Sequence, residues 1–523
     1  MKTPVWGFFC VFIIFLVSCT GRSRTRVVVL GMDGLTPQLL FKWARAGELP
    51  NFEKMMKESS FGRLASTLPP YSSQAWTSCI TGVNPGKHGI HGFLDLKGPI
   101  PDNFDSDSTS LAFHSSLSNK AVTLWEILGQ RGKTSIAINI PLTSPVFEIS
   151  GIMIGGFPQP PGAPYTYPES LEEEIPGYRP DIYGEDIKRG KEDDFLHEMY
   201  DISQRRLETS IELYEQRDWD LFFVVFTIPD RIQHYFFKYM DEKHPQYNAT
   251  MNARYGKEVK KVYRWMDEVL GEFTKRLDED TYLVVLSDHG FRPVRKQVNG
   301  EVLLREVNTD SLFMVYATEN FGATFRVKPR YPIIKTEETA SRKKQIVDSL
   351  IGRLENLRDP LTGVKVISEV YRKEEIYTGP YLAEAPDVVA IEAEGYLFLN
   401  WVKRWGFPVV QQVPIPRFFS GFHQVDGVIL IHGEGIRRDH ETSGADILDV
   451  APSILTFLGI PAGSDMDGEQ ISDAFSNGFF PDRGTEQRVV YEIDIDRRKY
   501  ILGDEGLAAD KIEDQLKSIG YIQ

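Results

Sequence analysis

Three unbroken apolar runs in this chain lead into acidic or histidine residues. Val27-Val28-Val29-Leu30 leads to Asp33, Leu221-Phe222-Phe223-Val224-Val225-Phe226 to Asp230 and His234, and Leu283-Val284-Val285-Leu286 to Asp288 and His289. None of the runs alternates with polar residues, so each reads as a strand covered on both faces, the pattern of a parallel sheet between helices. Such sheets bind ligands beyond the carboxyl ends of their strands. Carboxylates and imidazoles gathered at that edge are the ligand types a divalent metal needs.

Helix signals between the runs complete the alternation. Thr36 and Pro37 read as the cap and first residue of a helix ending at Gly47. A helix near 122–128, a strand near 134–140, a long amphipathic helix over 194–215 and another over 258–276 follow. This order predicts a doubly wound α/β fold, a mostly parallel sheet with helices on both faces. Residues 295–415 break the rhythm, with short strands near 312–316, 324–327 and 388–391 and a helix near 340–357, and read as an inserted cap subdomain. A strand at 428–431 and a helix at 447–458 return to the core, which thus spans 26–294 and 416–523, the latter including a C-terminal tail. The Asp-, Ser-, Pro- and Gly-rich stretch 92–118 reads as a long loop near the site.

The 523 residues, 41% of them hydrophobic, can bury a large core without disulfides. The three cysteines, Cys10, Cys19 and Cys79, allow no disulfide framework. A net charge of −15 and the lack of any basic stripe exclude nucleic acid as a partner. At the N-terminus, Lys2, the apolar stretch from Val5 to Val17 and the small Ser18 predict a signal peptide over 1–18, followed by a tether over 19–25. The tetrad Leu16-Val17-Ser18-Cys19 resembles a bacterial lipobox, which implies lipidation of Cys19 and a protein lipid-anchored to a membrane of the cell envelope, facing the periplasm or exterior. A plain secretory signal and an uncleaved anchor are the alternatives.

A nucleophile is expected in Tyr71-Ser72-Ser73-Gln74-Ala75-Trp76-Thr77-Ser78-Cys79-Ile80-Thr81-Gly82, where Trp76, Cys79 and Ile80 recur at helical spacing after Pro69-Pro70. Ser72 or Ser73 then lies at a helix N-terminus, where backbone N–H groups and the helix dipole favour a phosphate or a serine alkoxide. On local sequence alone the favoured reading of Ser72 is an ordinary helix cap, the commonest job of a serine in that position. The Asp230/His234 pair, four apart, shares one face if the chain is helical there, although such pairs also occur as simple surface hydrogen bonds.

Taken in order, Gly31-Met32-Asp33-Gly34, Ser72 to Gly82, Asn84-Pro85-Gly86-Lys87-His88-Gly89-Ile90, Asp230-Arg231-Ile232-Gln233-His234, Ser287-Asp288-His289-Gly290 and Gly421-Phe422-His423 resemble the type I phosphodiesterase and nucleotide pyrophosphatase family of the alkaline phosphatase superfamily. The resemblance implies an alkaline phosphatase-like core and two zinc ions. Asp33, Ser72, Asp288 and His289 would hold one ion, and Asp230, His234 and His423 the other. Ser72 takes the place of the family's more common threonine nucleophile and is preferred to Ser73 by its distance from Thr81-Gly82. His88 and His91 read as supporting residues. The nucleotide pyrophosphatase branch has an asparagine three residues beyond the nucleophile, where this chain has Ala75, which counts against nucleotide substrates.

The implied activity is hydrolysis of phosphate esters, foremost phosphodiesters, through a phospho-serine, with a small-molecule or lipid or glycan phosphate ester as substrate. Transfer of the phospho-group to an envelope acceptor, phosphomonoesterase or sulfatase activity, and a non-catalytic binding role on the same fold are the competing expectations.

Overall fold

The computed structural model describes residues 24–95, 112–159, 163–181, 190–319, 321–400, 408–412, 419–476 and 487–493. The expected signal peptide, Cys19, the middle of the 92–118 loop and most of the C-terminal tail lie outside the described residues. Within the stretch read as a tether, Arg24 donates two hydrogen bonds of 2.7 Å from its guanidinium to the buried Asp220.

The central sheet has nine strands in the order His440–Asp446, Ser60–Ala65, Asp426–His432, Thr281–Leu286, Arg26–Met32, Leu221–Phe226, Ser135–Ile140, Gly151–Gly155 and Thr166–Tyr167. Only Asp426–His432 and Thr166–Tyr167 run against the rest. The absence of alternation in the apolar runs has a direct cause. Val28 and Leu30 join Phe222, Val224 and Phe226 in one core layer, while Val27 and Val29 join Leu221, Phe223 and Val225 in the opposite one. The first layer is closed by helices Pro37–Arg45, Glu192–Gln216 and Glu258–Thr274, the second by Ser72–Thr81, Leu124–Gln130 and Val450–Phe457. Burying each such side chain contributes about 1.5–3 kcal/mol, so both faces of the central strands must be apolar.

Helix starts follow the predicted chemistry only in part. Thr36 precedes Pro37 as expected, but its hydroxyl makes no cap bond and instead accepts from the Phe291 N–H at 2.7 Å. The helix ends at Arg45, and Gly47 takes the left-handed turn beyond it, with φ +72°. Residues 313–392, in the stretch that breaks the alternating pattern, contribute a separate four-stranded sheet ordered Phe313–Ala317, Ala323–Pro329, Val388–Glu392 and Ile367–Arg372, backed by helix Glu337–Glu355. Its core, with Phe325, Leu350, Leu354 and Val388, is distinct from the two layers of the central sheet. Among the described residues no helix is long and apolar enough to cross a membrane.

Candidate active site

Parallel register assembles the first part of the site. Gly31 pairs with Leu286 and Met32 with Phe226, so Asp33, Asp288 and the start of helix Ile228–Met240 emerge at the same edge of the sheet. That helix carries Asp230 and His234 on one face, with Asp230 Oδ1 3.2 Å from His234 Nε2. His423 arrives from far along the chain by strand pairing. The strand Gly290–Asn299 starts directly after His289 and pairs antiparallel with Gly421–Gln424, Phe291 opposite His423, which stacks the two imidazoles with 3.7 Å between centroids.

Ser72 opens the helix Ser72–Thr81, whose N-cap is Tyr71. The cap reading of Ser72 is therefore corrected: the residue stands one position inside the helix, and its Oγ lies 3.0 Å from His289 Nε2. The neighbouring Ser73 hydroxyl is buried without a hydrogen-bond partner among the described residues. The structure thus brings Asp33, Ser72, Asp230, His234, Asp288, His289 and His423 together, each no more than 5% exposed.

The donor set fits divalent metal binding. Each imidazole presents Nδ1 to a backbone carbonyl: His234 to Gly421, His289 to Gly290 and His423 to Pro70, at 3.0, 3.1 and 2.9 Å. A carbonyl can only accept, so Nδ1 holds the proton and the Nε2 lone pair is turned inward, as a metal ligand requires. Those Nε2 atoms meet other acceptors. Asp230 Oδ1 is 3.2 Å from both His234 and His423, and His289 is 3.6 Å from Asp33 and 3.4 Å from Asp288. Among the described residues, one buried oxygen of each carboxylate, Asp33 Oδ1, Asp230 Oδ1 and Asp288 Oδ2, has no hydrogen-bond donor. Buried acceptors crowded on acceptors are costly unless a cation lies between them.

Two groups have the compactness of a metal cage: Asp230, His234 and His423, and Asp33, Asp230 and His289, with ligand atoms in each group within 4.8 Å of one another. Asp230 belongs to both groups. Asp288 is absent from the second cage but borders His289, and the Ser72 hydroxyl also interacts with it. Burial, followed by the charges of Asp288 and Asp230, pushes the Asp33 carboxyl well above the ordinary range. Burial and Asp230 push Asp288 up to about 8. Burial also lowers His289 and His423, which keeps them neutral, the ligating form.

Other residues prove to support the site. Trp76, read from sequence as core, is fully buried and donates its indole N–H to Asp33 Oδ2 at 3.1 Å. It can do so because Gly31 has no side chain: a Cβ there would sit 2.6 Å from the indole. Arg231, inside the Asp230-to-His234 motif, bridges Asp230 Oδ2 at 2.9 Å and Asp181 Oδ2 at 3.1 Å. Helical spacing could have placed Trp76 one turn after Ser72, but nothing local announces its partner, or that of Arg231. His88 is structural, its Nε2 2.9 Å from Ser78 Oγ and its Nδ1 accepting from the Ile90 N–H.

No curated protein matches the sequence significantly. Among solved structures the fold is similar to murine ectonucleotide pyrophosphatase / phosphodiesterase 5, in an inactive variant complexed with AMP, at 17% identity and TM-score 0.53 over 87% of this chain and 100% of that one. It is also similar to phosphonoacetate hydrolase from Sinorhizobium meliloti in complex with phosphonoformate, at 13% identity and TM-score 0.54 over 83% and 96% of the two chains. These likenesses establish the alkaline phosphatase-like fold. The model of one sequence family matches residues 27–404, a span that holds every converging residue except His423. By that match the chain belongs to the type I phosphodiesterase / nucleotide pyrophosphatase family, a membership that supports a phosphoester hydrolase.

Proposed function

We propose that this protein is a two-zinc phosphodiesterase that works through a phospho-serine on Ser72, with a small phosphate ester as substrate. The observation that carries the reading is the convergence of three inward Nε2 atoms and three donor-less carboxylate oxygens around the Ser72 hydroxyl. Asp230, His234 and His423 hold one ion; Asp33, Asp288, His289 and Ser72 hold the other. Mixed imidazole and carboxylate ligands suit zinc. When bound, the metal pair supplies Lewis-acid neutralisation of phosphoryl oxygens and activation of hydroxyl and water.

The chain's own residues perform the rest. The Ser72 and Ser73 N–H groups open the helix with no intrahelical acceptor and favour an anionic phosphoryl group. Ser72 Oγ attacks phosphorus in line and gives up its proton, the P–O bond to the leaving alcohol breaks and the departing oxygen takes up a proton, and the phosphoryl group, still carrying its second ester, stays on Ser72. Water then cleaves that ester, its oxygen going to phosphorus and a proton returning to Oγ. Trp76 and Arg231 keep Asp33 and Asp230 oriented during both steps. The relatives' AMP and phosphonoformate complexes favour a small phosphoryl compound as substrate. Lipidation at Cys19 would hold this activity at the cell envelope.

The test compares wild type with Ser72→Ala on bis-p-nitrophenyl phosphate, p-nitrophenyl phosphate, p-nitrophenyl sulfate and nucleotides. Turnover of the diester should fall by orders of magnitude while the fold is retained, and rapid quenching of wild type should trap phosphate on Ser72. Near-normal activity in Ser72→Ala, label on Ser73, or preference for the monoester or sulfate would overturn the assignment.

A further inference from the structure

The chain enters the fold at the edge of the central sheet opposite the converging residues. Arg24 bonds Asp220, the residue before the strand Leu221–Phe226, and its Nη1 lies 3.5 Å from Asp218 Oδ1. Arg26 then opens the first strand beside Thr281, its N–H donating to the Asp280 carbonyl at 3.1 Å and its guanidinium pairing with Asp278. All of these partners stand at the amino ends of parallel strands. From there Arg26–Met32 runs seven residues and, at about 3.3 Å per residue, climbs about 20 Å to the edge where Asp33 emerges.

These positions limit where an anchored protein can turn its site. Cys19 precedes Arg24 by five residues, a reach of about 18 Å at most when fully extended. Helices cover both faces of the sheet, so no straight path joins the two edges outside the core. For the catalytic edge to rest on the bilayer that holds Cys19, the tether would have to round a helix layer about 10 Å thick and then run the length of the strand, about 30 Å in all. Five residues fall well short of that. Nor do the converging residues project to meet a headgroup, since each is at most 5% exposed. A bilayer lipid would have to be drawn out into water to reach them, against the hydrophobic effect that holds its chains in the membrane.

We propose that the protein stands with the amino edge of its sheet toward the membrane and the catalytic edge toward the aqueous phase. Its substrates are then water-soluble phosphate esters without acyl chains, and the phospholipids of the anchoring bilayer are excluded by distance. This inference rests on lipidation of Cys19 and on the phosphodiesterase reading above.

The test uses the lipidated, metal-loaded protein in phosphatidylcholine vesicles that carry a rhodamine-headgroup lipid as energy acceptor. A donor dye is placed on Asp218→Cys, where the native side chain is 95% exposed beside Arg24, or on Gln38→Cys, exposed in the first turn of helix Pro37–Arg45 at the catalytic edge. Cys79 is fully buried and takes no dye. The dye at 218 should lose most of its emission to the acceptor, and the dye at 38 should keep most of its own. Equal losses, or the reverse order, overturn the proposal. In a second arm, unlabelled protein should hydrolyse glycerophospho-p-nitrophenol and leave phosphatidyl-p-nitrophenol intact in its own vesicles, kept dilute so that vesicles rarely meet; comparable rates on the two esters overturn it as well. Turnover of neither ester overturns the phosphodiesterase reading while the dyes still decide the orientation. Failure of the protein to float with the vesicles overturns the anchor and this proposal together.

Discussion

Replacing Trp76 with phenylalanine should separate the two proposed metal positions. The substitution keeps an aromatic ring over Gly31 and removes only the indole N–H that reaches Asp33 Oδ2 at 3.1 Å. A buried hydrogen bond to a charged group contributes about 1.5–3 kcal/mol. Loss of a partner that orients a metal ligand costs about 10- to 100-fold in affinity, and at about 1.4 kcal/mol per tenfold the two estimates agree. The indole N–H bonds Asp33, which the proposal assigns to one ion, so the loss should fall on that ion alone. The smaller ring also leaves part of the indole volume empty in a fully buried site, which should lower fold stability by roughly 1–2 kcal/mol. Competition with a chromophoric chelator resolves the two affinities, and thermal unfolding of the apo- and metal-loaded forms measures the packing cost. Equal weakening of both ions, or a lower melting temperature with both affinities intact, would refute the reasoning, because Trp76 would then be packing alone.

Three further expectations follow from particular contacts. Asp33→Asn should release one ion and His423→Ala the other, each leaving about one metal per chain by elemental analysis; loss of both ions from either variant would contradict two separable positions. Burial raises the Asp220 carboxyl, but hydrogen bonds from Arg24, the Thr134 N–H and Lys133 outweigh it and hold the group down to about 2. A depressed carboxyl contributes stability that is fully present above its unfolded value near 3.8 and is lost as pH falls toward 2. Asp220→Asn should therefore flatten the decline in melting temperature between pH 4 and 2, and an unchanged slope would count against this pairing. If Cys19 is lipidated, the protein should leave membranes with detergent but not with high salt, and Cys19→Ala should become soluble with altered mobility; recovery of the variant in the same fraction would exclude the anchor.

Much of the site was legible in the sequence because strand ends carry their chemistry in local order. An unbroken apolar run must be covered on both faces, so Asp33, Asp230 and Asp288 had to emerge at a sheet edge, and the four-residue spacing of Asp230 and His234 had only to meet a helix to become a pair. The role of Ser72 was ambiguous locally, since a helix cap and a nucleophile both want a hydroxyl at a helix start. The backbone decided by placing Tyr71 at the cap. His423, in a glycine-rich turn, had no local pattern pointing to metal; it reaches His289 only because the strand leaving Gly290 pairs with Gly421–Gln424. The bond from Trp76 to Asp33 and the bridge of Arg231 to Asp181 are likewise contacts between segments distant in the chain. Periodicity reports which face of an element is buried, and so the sequence by itself determined the layers and the ligand types; which side chains face one another across those layers depends on pairing register and packing, which only the tertiary structure decides.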